Sequence, residues 1–121
     1  MLGLGTDIIE IERIQKAIDK FELKFLNRIF SINEQNYCLS QKQPFIFFAA
    51  RFAAKEAVSK AIGCGIGQSL SWLDIEIRKD EKGKPFVVLH EERMKMFDYP
   101  NFLLSLSHCR LYATATVIAY K

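Results

Sequence analysis

The 121 residues contain no apolar run approaching the roughly 20 residues that a membrane-spanning helix needs, and the opening residues lack the basic region of a secretion signal. The longest apolar stretch, PFIFFAA at 44–50, has only the length of a core segment. Cysteine is scarce. Cys38, Cys64 and Cys109 are odd in number and show no C-x-x-C spacing, which argues against a disulfide framework and against a thiolate zinc site. They read as buried or partly buried thiols in a reducing compartment, so a cytoplasmic location is expected. Repeats, low-complexity tracts and linkers are absent. Charge of one sign is also in short supply: 17 Lys+Arg against 14 Asp+Glu give a net charge of +3. That bias is too mild to mark a nucleic-acid binder, and no aromatic-rich RNA-binding strand accompanies it. It would still suit an acidic protein or a phosphate ligand. A chain of this length, half hydrophobic, is expected to form one domain over 1–121 with a modest core, small enough that oligomerisation would help to cover its surface.

What is present is concentrated in RFAAKEAVSKAIGCGIG at 51–67. Arg51 to Ile62 reads as helix, ended by Gly63, and glycines at 63, 65 and 67 then force a turn. On a helical wheel Ala50, Ala53, Ala54, Ala57 and Ala61 form an arc of small residues that would let another backbone approach closely. Arg51, Lys55, Glu56, Ser59 and Lys60 gather on the other side. With Glu56 four residues before Lys60, that side reads as a salt-bridged, solvated face.

Leu2 to Ile9 alternates as a strand, with Gly3, Gly5, Asp7 and Ile9 on one face. Bare backbone beside a carboxylate leaves room for a ligand, whereas Asp7 followed by Glu10 equally fits a helix cap. A helix from about Glu12 towards Phe30, with a break near Phe21 open, would carry Arg13, Lys16, Lys20, Lys24 and Arg28 as a basic stripe if continuous. Such a stripe fits either a solvated face or a docking surface for an acidic partner. Ser31-x-x-Glu34 predicts a capping box, and Pro44 permits a helix that runs into the central stretch. Beyond it, Leu73, Ile75 and Ile77 alternate with charged residues, and DEKGK at 80–84 turns the chain back into a strand at Pro85–Leu89. A short helix at 90–97 and strands at 102–107 and 112–120 follow. His108 stands where it could be a turn residue or a phosphate contact. The predicted fold is α+β, a mostly antiparallel sheet with its helices packed on one side.

RFAAKEAVSKAIGCGIG closely resembles the signature of the holo-acyl-carrier-protein synthases, the short 4'-phosphopantetheinyl transferases. GLGTDIIEIERI resembles the family's opening motif, WLDIEIRKDEKGKPFV its hairpin, and SLSHCRLYATATVIAY its closing motif, all in family order. Residues 14–44 and 90–101 match poorly. The resemblance implies transfer of 4'-phosphopantetheine from coenzyme A to a serine of an acyl carrier protein, with release of adenosine 3',5'-bisphosphate. It implies that Asp7 and Glu56 hold Mg²⁺, that Glu56 assists deprotonation of the serine and that Lys60 neutralises phosphate charge. It further implies that Arg51, Lys60, His108, Gly63 and Gly65 meet coenzyme A. Arg13, Lys16, Lys20 and Lys24 would dock the carrier, and a homotrimer would place active sites between subunits. Read without the resemblance, the same residues also fit another Mg²⁺-dependent phosphotransferase or a non-catalytic basic protein-binding module.

Overall fold

The structure, a computed structural model, describes residues 2–121. Its assembly follows from a strand face with no side chains and a helix face with only methyl groups. Strand β1 (Gly3–Glu10) turns Gly3 and Gly5 inward, onto Ala57 and Ala61 of α4 (Pro44–Ile62). A Cβ on Gly5 would lie 1.9 Å from the Ala57 carbonyl oxygen, and one on Gly3 would lie 1.9 Å from that of Ala61. Strand and helix therefore meet backbone to backbone. The bare glycine face holds a helix, not the ligand for which it left room.

Helix α4 covers one side of a three-stranded antiparallel sheet in which β1 pairs with β5 (Tyr112–Tyr120) and β5 with β4 (Asn101–His108). The first strand thus pairs with the last, from Gly3↔Ala119 to Glu10↔Tyr112. Ala113, Ala115, Val117 and Ala119 of β5 point inward and are buried. A single sheet was expected; there are two. Strands β2 (Ile75–Lys79) and β3 (Pro85–Leu89) form a separate hairpin. Its turn has Gly83 at φ 84° and the Asp80 carboxylate accepting from the N–H groups of Lys82 and Lys84. A helix α5 (Glu91–Met96) then leads to β4.

The long first helix breaks. Glu22, at φ 51°, separates α1 (Ile11–Phe21) from α2 (Leu23–Ile29). Arg13, Lys16 and Lys20 therefore stay on α1 while Lys24 and Arg28 move to α2, and the stripe is not one continuous row. Lys16 is also paired with Glu12 at 3.1 Å. Helix α3 (Ile32–Leu39) opens with the predicted capping box, in which Ser31 and Glu34 satisfy each other's backbone N–H.

Glu34 does more than cap. It is buried, and it meets the equally buried Lys55 of α4 at 2.7 Å. The Lys55 ammonium also donates to the carbonyls of Ile29 (2.7 Å) and Trp72 (3.1 Å), while the second Glu34 oxygen accepts from the Ile77 N–H. Burial pulls the Lys55 ammonium below its ordinary 10.5, and Glu34 pulls the other way. The polar side of α4 is therefore only partly solvated: Lys60 is exposed and Glu56 half-buried, whereas Arg51, Lys55 and Ser59 are buried, because α3 and the β2 hairpin cover them. Of the thiols, only Cys38 is buried, and burial pushes it up to about 12; Cys64 and Cys109 are exposed. Among the described residues no helix is long and apolar enough to cross a membrane.

Gly5→Ala tests the central contact. The added carbon would strike backbone, which cannot swing aside, so the variant is expected to lose about 1–3 kcal/mol or more in urea unfolding.

Candidate active site

Two residues after Gly5 on the same inward face stands Asp7, opposite Ala115 in the middle of β1. It is not a helix cap. Helix α1 starts four residues later, its N-cap is Glu10, and that side chain makes no capping bond. Because α4 is in backbone contact with β1, Lys60 reaches across. Its ammonium donates to an Asp7 carboxylate oxygen at 3.1 Å and to the Thr6 carbonyl at 3.0 Å. The expected Glu56–Lys60 pair along the helix is not among the ion pairs of the described residues; Lys60 has taken Asp7 instead.

Glu56, one turn before Lys60, is half-buried on this side. Its pKa is raised first by burial and then by the negative charge of Asp7, with Lys60 pulling the other way. Asp7, Glu56 and Lys60 thus form one electrostatic unit, two carboxylates that repel each other beside one ammonium. The described residues contain no cluster of three or more potential metal ligands. A hard divalent cation could be held here by the two carboxylates only if a substrate or water supplied its remaining oxygens.

Gly63 ends α4 at φ 97°, its N–H on the Ser59 carbonyl, and Gly65 follows at φ 70°. Gly67 departs from the expected turn. It is not left-handed, and its N–H donates to Leu70.

Arg51 and His108 do not join the carboxylates. Both line a cleft of about 410 Å³ with Phe47, Lys79, Lys84 and Leu106, and none of Asp7, Glu56, Lys60, Gly63 and Gly65 lines it. Five residues along a helix amount to about 140° of rotation, which sets Arg51 and Glu56 on different sides of α4. The Arg51 guanidinium is stacked 4.3 Å from the Tyr37 ring centre, and its buried Nε has no hydrogen-bond partner among the described residues. His108 is the last residue of β4 rather than a turn residue. Lys79, Lys84 and Tyr37 escaped the sequence reading. The signal for Lys84 was the Gly83-Lys84-Pro85 turn, which gave chain reversal without showing that it faces Arg51.

A profile of the 4'-phosphopantetheinyl transferase superfamily matches residues 3–115. The chain belongs to that family. A holo-[acyl-carrier-protein] synthase of Protochlamydia amoebophila is 54% identical over 117 residues, 97% of this chain and 96% of that one. The crystal structure of the Helicobacter pylori holo-[acyl-carrier-protein] synthase in complex with coenzyme A superposes with a TM-score of 0.89 at 39% identity, covering 96% of this chain and 98% of that chain. The Bacillus anthracis holo-(acyl-carrier-protein) synthase structure, in complex with CoA (3',5'-ADP), gives 0.83 at 42% identity, covering 99% and 97%. As a 4'-phosphopantetheinyl transferase, the chain is an enzyme, and the α+β fold is that of its relatives.

The raised pKa of Glu56 has a measurable sign. Its contribution to stability is fully present below the ordinary value of 4.5 and is lost as pH rises through the raised folded value. In the metal-free 4'-phosphopantetheinyl transferase at neutral pH, Glu56→Gln should therefore unfold at a higher temperature than the wild type. The difference should vanish below pH 4.5. A thermal scan across pH in the presence of a chelator measures it.

Proposed function

We propose that this chain is a holo-acyl-carrier-protein synthase acting as one domain over 1–121. It transfers 4'-phosphopantetheine from coenzyme A to a serine hydroxyl of an apo acyl carrier protein and releases adenosine 3',5'-bisphosphate. The observation that carries this reading is the meeting of Asp7, Glu56 and Lys60 across the β1–α4 contact. The similarity to the Protochlamydia enzyme and to relatives solved with coenzyme A supports it.

Mg²⁺ fits the donor set. Asp7 and Glu56 offer hard oxygens, and burial first and the Asp7 charge second raise the Glu56 pKa, a cost that a cation beside the two carboxylates would relieve. When bound, the ion supplies charge neutralisation for a diphosphate that would otherwise be repelled by both carboxylates. Asp7 and Glu56 would hold it, and Glu56, directly or through a water, accepts the serine proton as the hydroxyl attacks phosphorus and the bond to the adenosine 3',5'-bisphosphate leaving group breaks. Lys60 exchanges its bond to Asp7 for the charge that collects on the phosphate oxygens. Arg51 and His108 bind phosphate in their cleft, and Gly63 and Gly65 shape the open loop beside Lys60.

The working unit is a homotrimer whose active sites lie between subunits. Two features support association. The carboxylate unit and the Arg51–His108 cleft lie on different sides of α4, so one substrate bridging them needs two copies of the chain. The outer face of the three-stranded sheet exposes Leu4, Ile8 and Leu103, with Leu4 and Leu103 flanking Ile118 in register. The acidic carrier docks on Arg13, Lys16 and Lys20 of α1, with Lys24 following on α2. The free thiols suit a cytoplasmic location.

Intact mass of an apo carrier protein incubated with coenzyme A and Mg²⁺ is the direct test. A gain of one phosphopantetheine is expected, and no gain overturns the reading. Asp7→Asn and Glu56→Gln should each remove about 100-fold or more of the transfer rate while circular dichroism stays unchanged. Arg13→Glu should weaken carrier binding without changing coenzyme A affinity, and added salt should have the same direction of effect on the wild type. Light scattering should show three copies in the active species.

A further inference from the structure

Arg51 is 2% exposed, and none of the ion pairs among the described residues includes it. A buried charge without a counter-ion is costly. Part of the compensation is the Tyr37 ring, 4.3 Å from the guanidinium carbon. A second cation shares that ring: the Lys79 ammonium lies 5.0 Å from the Tyr37 centre and 6.0 Å from that of Phe47. Among the described residues Lys79 has no carboxylate partner within ion-pair distance either. Two positive charges gathered on one ring repel each other until an anion arrives.

The surroundings show where the anion would be met. Arg51 and Lys79 both line the 410 Å³ cleft that holds His108 and Lys84, and both also line a neighbouring cleft of about 270 Å³ that contains Tyr37. They form the wall between the two. Three elements supply the stack, Tyr37 from α3, Arg51 from α4 and Lys79 from β2, and the Glu34–Lys55 network ties all three together. Tyr37 is one turn after Glu34, Arg51 one turn before Lys55, and Lys79 two residues after Ile77, whose N–H is held by Glu34.

We propose that Tyr37 and Lys79 complete the phosphate-binding part of the coenzyme A site. Lys79 contacts a phosphate of the coenzyme, and Tyr37 is a positioning residue whose ring holds Arg51 and Lys79 towards it. This rests on coenzyme A being the substrate. The carboxylate unit, on another side of α4, is suited to the reacting diphosphate, which leaves the phosphate on the ribose for the cation stack.

Calorimetric titration with coenzyme A and with dephospho-coenzyme A tests the proposal, alongside the transfer assay on the same proteins. Lys79→Gln and Tyr37→Leu should each weaken coenzyme A binding by about tenfold and raise its KM similarly, with a much smaller change in kcat. Tyr37→Phe, which keeps the ring and loses the hydroxyl, should retain wild-type affinity. A loss seen with coenzyme A and absent with dephospho-coenzyme A assigns the stack to the ribose phosphate; an equal loss with both assigns it to the diphosphate. Lys79 is exposed, so Lys79→Gln is informative even if Tyr37→Leu fails to fold. Wild-type affinity and KM in Lys79→Gln, from a protein whose wild type transfers, overturn the proposal and leave the proposed function standing. Equal losses in Tyr37→Phe and Tyr37→Leu also overturn it, and a wild type that neither binds coenzyme A nor transfers overturns both.

Discussion

Backbone-to-backbone contact between β1 and α4 is the constraint on which the other features depend. Only glycine at positions 3 and 5, facing alanine at 57 and 61, permits that approach. The consequence extends past packing. Since side chains alternate along a strand, the residue two places beyond Gly5 must face the same helix, and that residue is Asp7. Close approach then brings Lys60 within hydrogen-bonding distance of it and puts Glu56 within its field. Packing geometry and the meeting of Asp7, Glu56 and Lys60 are one decision in this molecule.

The opposite side of α4 is fixed by different physics. Glu34 and Lys55 are removed from water together, and each hydrogen-bonding position of the ammonium is satisfied by a different segment. Losing one partner of such a pair typically costs about 3–5 kcal/mol, whereas a matched apolar replacement of both can be neutral. The pair therefore contributes direction more than stability. Glycine contact on one side and ion pair on the other leave α4 no freedom to roll, so the carboxylates and the cleft cations keep their separate orientations.

Both sites hold charge in unfavourable company: two carboxylates repel each other beside Lys60, and two cations crowd one tyrosine ring. Each is a local cost to the fold, and a charge of the opposite sign would relieve each.

Features governed by neighbours in sequence were legible from the residues alone. The faces of β1, the break near Phe21, the Ser31–Glu34 capping box, the stop at Gly63 and the turn at Gly83 all depend on local backbone preference or on side-chain period, and each is found in the structure. The long ordered motifs likewise sufficed to indicate the family. Periodicity, however, shows that a face is distinct without showing what covers it. Arg51 and Lys55 looked solvated because a charged helix face usually is, and only the packing of α3 and the β2 hairpin against it made them buried. The pairing of β1 with β5, the division into two sheets, the transfer of Lys60 from Glu56 to Asp7 and the gathering of Arg51, Tyr37 and Lys79 all join residues distant along the chain. Their energies depend on which surfaces exclude water together, and that is decided only when the whole chain has closed.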